Sequence, residues 1–352
     1  MSSTPAEFVK ELIQSVDKKG RQVYCDTVED SPKVTGRKGR IAALNLRILK
    51  GITQLRLTEA MLTRYGLATA DTKIFDCGAA IVRKVGGDWK RYSGKDSPHP
   101  TRIFSDYDSP SSAFSLWSQG DDGKTLTERK SFAASSLSPR KGDIVTAKFG
   151  VDTLLQGVLE GGAVTEHIRQ CLSDFEDDVT NIGILLRHPA FHRASDTRNV
   201  PQSNIDTLYS DGAQIHAINR RTVVEWQNAL MKQGEQKLRS YRAGIEIDGE
   251  AEMNPNVEDR VAEIDIRTQN DGTIPMNFAS LTPRCLVTQR DVLTGAIRGE
   301  PKQWLKTYRP LRPKDGVATM GANVDVSPEY HGAIIRVGDR FTVSSEKTQW
   351  SQ

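Results

Sequence analysis

The sequence has few cysteines, and their spacing excludes two classes of protein. Four occur in 352 residues, Cys25, Cys77, Cys171 and Cys285, and they lie far apart along the chain. Small secreted domains and iron–sulfur domains both need several closely spaced cysteines. We therefore expect reduced thiols, with neither a disulfide framework nor an iron–sulfur cluster.

Long hydrophobic runs and a strong net charge are also missing. No segment approaches the roughly 18 uninterrupted apolar residues of a membrane helix, and the N-terminus lacks the apolar core of a secretory signal. A formal net charge of +3 is too small to indicate nucleic-acid binding, which needs a clustered basic face. These absences predict a cytoplasmic protein that binds neither membranes nor nucleic acid.

The sequence also lacks the common catalytic motifs. It has no Gly-x-Ser-x-Gly elbow, no phosphate loop and no His-Glu-x-x-His, so nothing favours a hydrolase, a nucleotide-dependent enzyme or a metalloprotease. His167, Cys171, His188 and His192 have residue types and spacings that could furnish a zinc site. Pro189 interrupts any helix through the last two, and we favour ordinary surface or capping histidines.

A basic run is present near the N-terminus. No acidic residue occurs between positions 33 and 56, which hold Lys33, Arg37, Lys38, Arg40, Arg47, Lys50 and Arg56. Such a run is typical of a solvated strand edge and turn, but it can also bind a phosphate-bearing ligand. The pattern of charge leaves both interpretations open.

The hydrophobic pattern predicts a chain that is mainly β with some helices. Strong β character occurs over residues 40–85, whereas the Ser, Asp, Gly and Pro content of 93–140 indicates long loops and insertions. Helices are predicted over 3–18, 152–177 and 221–232, with a short one opened by Pro301. Short strands are predicted at 244–248, 261–267, 284–288 and 333–337.

Residues 282–291 carry a recognisable pattern, TPRCLVTQRD. Further along the chain come Thr294-Gly295, Glu300-Pro301, Leu305-Lys306-Thr307-Tyr308-Arg309 and the run from Gly332 to Asp339. This order resembles the signature of MOSC proteins, where an Arg-Cys strand precedes a Thr, an Asp, a Thr-Gly turn and a Leu-x-x-Tyr-Arg helix. Upstream, Tyr241-Arg242 is similar to the start of the family's Phe-Arg-Pro-Asn strand.

The N-terminal half resembles the β-barrel that precedes MOSC in the amidoxime-reducing component and its bacterial relatives. The resemblance rests on residues 47–51, Glu59-Ala60 and Gly66-Leu67. It makes residues 57–65 a strand, although their propensity favours helix. The implied fold is mainly β with α, an N-terminal β-barrel-like module packed on a C-terminal MOSC β-barrel. The corresponding divisions are 1–39 as a lead-in helix, 40–150 as the N-terminal module, 151–204 as a helical connector and 205–345 as MOSC.

The resemblance implies a molybdenum-pterin cofactor, held at the metal by the thiolate of Cys285. Soft metals prefer sulfur ligands, and the neighbouring Arg284 would stabilise a thiolate. The terminal phosphate of the cofactor calls for Arg or Lys. The predicted cofactor-binding residues are Arg47, Lys50, Arg242, Arg284, Thr288 and Tyr308. For each basic residue taken singly, a surface salt bridge remains the alternative.

The implied activity is reduction of N-oxygenated compounds of the hydroxylamine or amidoxime type. Since the chain has no iron–sulfur cysteines and ends soon after the closing strands, we expect electrons from a separate donor protein. Departures from the family pattern at Ile48, Cys77 and Gly244 leave two alternatives open, and a further departure at Asn323 concerns the substrate pocket. One is a sulfur carrier that uses a Cys285 persulfide, and the other is a module that binds or delivers the cofactor.

Overall fold

The computed structural model describes residues 33–120, 122–149, 153–191, 213–230, 241–250, 257–270, 272–284, 288 and 319–347. The helices predicted over 3–18 and from Pro301 lie outside these residues. Strands in chain order are β1 (Lys38–Leu46), β2 (Leu49–Lys50), β3 (Leu55–Leu57), β4 (Glu59–Thr63), β5 (Gly66–Ala68), β6 (Ala79–Val85), β7 (Asp88–Arg91), β8 (Ile103–Asp108), β9 (Ala113–Ser118), β10 (Lys130–Ala133), β11 (Val145–Lys148), β12 (Leu154–Glu160), β13 (Ile182–Arg187), β14 (Ile215–Asn219), β15 (Ile245–Gly249), β16 (Val261–Arg267), β17 (Thr273–Pro283), β18 (Thr319–Asp325), β19 (Ile334–Arg336) and β20 (Arg340–Glu346). The α-helices are α1 (Ala163–Ser173), α2 (Arg220–Leu230) and α3 (Val257–Arg260).

The first barrel is formed mainly by the C-terminal half of the chain. Its strand order is β15-β14-β18-β17-β16-β20-β1, and a further pairing of β15 with β1 closes the ring. Apolar residues alternate along these strands, so that Ile41, Ile247, Ile266 and Phe341 point into one buried core. Strand β1 therefore contributes to this barrel although it comes from the N-terminal half.

The second barrel is smaller and uses the order β13-β12-β11-β7-β6, closed by a pairing of β13 with β6, while β2 adds to the outside of β6. Helix α1 buries Val164, Ile168 and Leu172 in a second core, which also contains Ile81 on β6 and Ile184 on β13. The expected fold class, mainly β with α and built on two β-barrels, is confirmed. No described helix is long and apolar enough to cross a membrane.

Two predictions of local structure are wrong. Residues 154–160, predicted as helix, form strand β12, because Leu155 and Val158 are buried while both edges of the strand pair with β11 and β13. Residues 103–133, predicted as loops, contain the three-stranded sheet β8-β9-β10. Its buried Phe114 and Leu116 join the second core, and the surrounding Ser and Asp residues concealed this alternation.

Other predictions are confirmed. Residues 59–63 form strand β4 against their helical propensity, because Ala60 and Leu62 bury alternate side chains while β4 pairs with β5 and β19. The strand predicted at 261–267 is β16, and the helix predicted from residue 221 is α2. Long-range pairing decided the case of β4, where local propensity favoured helix.

Candidate functional site at the junction of the barrels

Four of the predicted cofactor-binding residues lie where the barrel strands end. Arg47 follows β1, Lys50 lies on β2, Arg242 precedes β15 and Arg284 follows β17. We call this set the basic junction. Of the other predicted residues, Thr288 is buried, whereas Cys285 and Tyr308 lie outside the described residues. Whether any of them binds a cofactor stays a prediction.

The chain crosses between the barrels at this point, and hydrogen bonds tie the crossing together. Strand β2 pairs with β6, which places Lys50 beside Ala80 of the second barrel. Arg242 Nη2 donates to the carbonyl oxygen of Ile52 at 2.7 Å, and Gln54 Nε2 donates to that of Ala243 at 2.8 Å. Segments almost 200 residues apart in the sequence are therefore held side by side.

Arg47 forms a nearly buried ion pair with Asp76. Its Nε and Nη2 donate to the two carboxylate oxygens at 3.0 and 2.5 Å, and its backbone N–H donates to Oδ1 at 2.8 Å. The two side chains are 14% and 7% exposed. Such a bidentate pair fixes the guanidinium plane rather than leaving it to swing.

Cys77 is a buried residue, and three cations of the basic junction affect the pKa of its thiol. Its backbone N–H donates to the carbonyl of Arg47 at 2.8 Å, and its φ is 53°. Burial raises the pKa of its thiol to about 11, while the charges of Arg47, Lys50 and Arg242 oppose that rise and Asp76 adds to it. The thiol is protonated at neutral pH, so Cys77 is not a ready metal ligand.

The junction also holds strained backbone. Arg242, like Cys77, has a φ of 53°, in the left-handed region that non-glycine residues rarely occupy. Backbone of this kind is retained where the surrounding structure fixes it, and it clusters at functional sites.

Arg284 is anchored to neighbouring strands and to one histidine. Its Nε donates to the carbonyl of Met320 at 2.8 Å and its Nη1 to that of Tyr241 at 2.9 Å, while Nη2 contacts the ring of His216. The guanidinium also lies 5.4 Å from the centre of the Tyr241 ring. Arg284 thus fixes the backbone immediately before Cys285, whatever else it binds.

His216 is a member of the site that sequence reasoning missed. Burial, followed by the charge of Arg284, holds the pKa of its ring well below the usual 6.5, so the ring is neutral. A smaller effect of Arg47 in the same direction places His216 within the electrostatic reach of both arginines. The one available signal was a histidine set in an apolar strand pattern, which does not identify a partner 68 residues away.

Two departures from the family pattern have clear structural roles. The N–H of Gly244 donates to the carbonyl of His216 at 2.8 Å, and a Cβ at this position would lie 3.2 Å from Leu67. The amide of Asn323 is engaged across the barrel wall, where it donates to Ser280 and accepts from Thr282 at 3.0 Å each. Gly244 and Asn323 therefore stabilise the first barrel, and neither adds a positive charge to the basic junction.

The histidines of the alternative zinc site are engaged separately. His167 contacts the carbonyl of Leu116 at 2.9 Å, and the N–H of Ala190 donates to His188 Nδ1 at 3.2 Å. His192 lies outside the described residues. Within the described part of the chain, no group of three His, Cys, Asp or Glu side chains could hold a metal ion.

Neither a scan against protein-family models nor a search of curated proteins finds a match to this chain. The MOSC resemblance therefore rests on the sequence motifs alone.

Proposed function

We propose that the basic junction binds the phosphate end of a molybdenum-pterin cofactor, and that the protein is a MOSC-like oxidoreductase. Its substrates would be N-oxygenated compounds, and its electrons would come from a separate donor protein. The observation that carries the proposal is that Arg47, Lys50 and Arg242 meet at one crossing of the chain. There the N–H of Cys77 donates to the carbonyl of Arg47, β2 pairs with β6, and Arg242 donates to the carbonyl of Ile52. Clustered Arg and Lys are the groups that proteins use to hold phosphate oxygens.

The chemistry of the donors fits one end of this cofactor. The guanidinium and ammonium groups suit a phosphate, whereas the protonated thiol of Cys77 does not suit a metal. The metal ligand in this proposal is Cys285, which follows directly after the anchored Arg284. The described residues thus support the phosphate half of the proposal, and the metal half depends on the motif.

Each residue of the junction would have a distinct task. Lys50 and Arg242 would contact the phosphate, and the ion pair with Asp76 would orient Arg47 beside them. Arg284 and His216 would fix the direction of the segment that carries Cys285. When bound, the cofactor would supply oxygen-atom transfer, and the protein would supply binding and orientation.

The experiment that tests the function is made on Cys285. In the protein purified with its cofactor, a thiolate bound to metal should resist alkylation and become reactive when the cofactor is removed. Cys285→Ser should lose N-oxide reductase activity together with most of its molybdenum, because an alkoxide is a harder ligand than a thiolate. Full metal content and full activity in this variant would overturn the proposal. The exposed Leu154→Ala serves as the control.

A sulfur carrier is the second candidate, and one observation favours it. The family pattern has an arginine where this chain has the uncharged Cys77, which removes one phosphate contact. A carrier would have a freely alkylated Cys285 and an intact mass about one sulfur atom higher, as expected of a persulfide. Its Cys285→Ser variant would lose only that added mass.

A further inference from the structure

Three arginines lie in one row on the outside of the first barrel. The register pairs Arg40 on β1 with Arg340 on β20, and Arg340 in turn with Arg267 on β16. Their neighbours Ile41, Phe341 and Ile266 point into the core, so the arginines share the outer face. We call this set the arginine row. Adjacent strands lie about 4.8 Å apart, so the three arginines extend from neighbouring positions of the sheet.

This arrangement is unfavourable for the folded protein by itself. Like charges directly opposite each other on paired strands are destabilising. Arg40 has one ion pair, with Asp248 at 3.4 Å, and its side chain is 66% exposed. Within the described residues, neither Arg267 nor Arg340 takes part in an ion pair. A bound anion would relieve the repulsion between Arg340 and Arg267.

The arginine row borders a cavity of about 530 Å³. Lys38 and Arg221 add two more cations to its lining, and Arg221 is held there by a 3.0 Å bond from Nη1 to the carbonyl of Glu250. A volume of this size accommodates a small organic molecule rather than a single inorganic ion.

The rest of the lining differs from the arginine row. The register places Lys38 beside Thr342 and Thr342 beside Asp265, which forms a second row two residues along each strand. Asp248 on β15 pairs with Arg40 in register and so extends the arginine row at its Arg40 end, and Glu250 follows β15. Carboxylates repel a phosphate but accept hydrogen bonds from hydroxyl groups. The cavity thus offers Arg340 and Arg267 to an oxyanion, and the carboxylates around them to hydroxyl donors.

We propose that this cavity binds a small phosphate ester, with the phosphate on Arg340 and Arg267 of the arginine row and hydroxyl groups toward Asp265, Asp248 and Glu250. The site is distinct from the basic junction. Arg40 lies near the start of β1 and Arg47 beyond its end, so the two sites occupy opposite ends of that strand. The proposal does not depend on a molybdenum cofactor.

The test is calorimetric titration of the full chain with inorganic phosphate and with ribose 5-phosphate, at low ionic strength. The ester should bind more tightly than inorganic phosphate. Arg340→Gln and Arg267→Gln should each weaken ester binding at least about tenfold, as expected for loss of a charged hydrogen bond. Arg56→Gln, an exposed arginine on β3, makes the same change in charge and should leave binding unchanged.

Thermal unfolding provides a second readout that misfolding cannot imitate. Without ligand, Arg340→Gln should unfold at a higher temperature than the wild type, because the repulsion within the row is relieved. With ribose 5-phosphate, its stabilisation should be smaller than that of the wild type. Absence of binding by both probes, equal affinity for the two, or unchanged affinity in both row variants would overturn the proposal.

Discussion

At the scale of single residues, the charged groups of the basic junction are fixed by partners that the fold brings to them. Arg47 and Asp76 form a bidentate pair with little exposure to solvent. Removing one member of such a pair leaves a buried charge without compensation, which costs more than the pair contributes. The stability of the junction therefore depends on both members being present.

We predict that Arg47→Met lowers the free energy of unfolding by about 3 kcal/mol, because it strands the Asp76 carboxylate. Asp76→Asn should also destabilise, and the double variant should lose clearly less than the sum of the two. Urea unfolding of all four proteins measures this double-mutant cycle. Strictly additive losses would show that the pair contributes nothing of its own.

His216 gives the protein a pH dependence whose sign follows from its lowered pKa. Below pH 6.5 the unfolded chain takes up a proton on this ring that the folded chain does not. The free energy of unfolding should therefore fall as the pH is lowered through this range. Urea unfolding at several pH values should show a shallower fall in His216→Gln than in the wild type. Parallel pH profiles for the two proteins would contradict the assignment.

The sequence predicted the cations of the basic junction but not the residues that they contact. Arg47, Lys50, Arg242 and Arg284 could be selected because a motif and a local charge run mark them. Asp76 and His216 could not be selected, because their roles arise from pairings across 29 and 68 residues of sequence. A sequence motif identifies the type of a residue, whereas the partner that this residue contacts depends on strand register.

Among the elements, strand β1 connects the first barrel, the arginine row and the basic junction. It pairs with β15, β20 and β3 along its length, and then leads into Arg47. Gly39 on β1 is packed closely against β15 and β20. A Cβ there would approach the backbone oxygen of Asp248 to 2.6 Å and would also meet the Phe341 ring.

We predict that Gly39→Ala destabilises the protein by about 1–3 kcal/mol, as expected for an overpacked site. Backbone cannot move aside as a flexible side chain can, so β15 would have to shift. Gly161→Ala is the control, because a Cβ at that position meets nothing within 4 Å. Thermal unfolding compares the two variants. Equal small effects would show that β1 and β15 are packed more loosely than described.

Elements were predicted well where alternation was regular and poorly where it was obscured. Strand β16 has branched apolar residues at nearly alternate positions, and its predicted bounds were correct. Strand β12 contains Gly157 and is followed directly by helix α1, so one helical segment was predicted across both. The distinction depends on pairing with β11 and β13, which a local pattern does not contain.

At the scale of the whole molecule, the two barrels share the chain instead of dividing it in sequence. Strand β1 from the N-terminal half completes the first barrel, and β12 and β13 close the second.

We predict that a fragment ending at residue 150 does not fold, because it lacks partners for β1 and for β6. Thermal unfolding followed by near-ultraviolet circular dichroism should show no cooperative transition in the fragment. A sharp transition would mean that this part folds independently.

In the proposed function, the basic junction holds the phosphate end of a molybdenum-pterin cofactor. The most direct measurement is molybdenum analysis, paired with release of the oxidised pterin fluorophore, on protein produced in a host that makes this cofactor. Arg242→Gln and Lys50→Gln are compared with Arg56→Gln as the control for charge. We predict molybdenum and pterin together in the wild type and the control, and at least about tenfold weaker retention in the junction variants. A wild-type protein without pterin, or junction variants that retain it fully, would contradict cofactor binding at the basic junction.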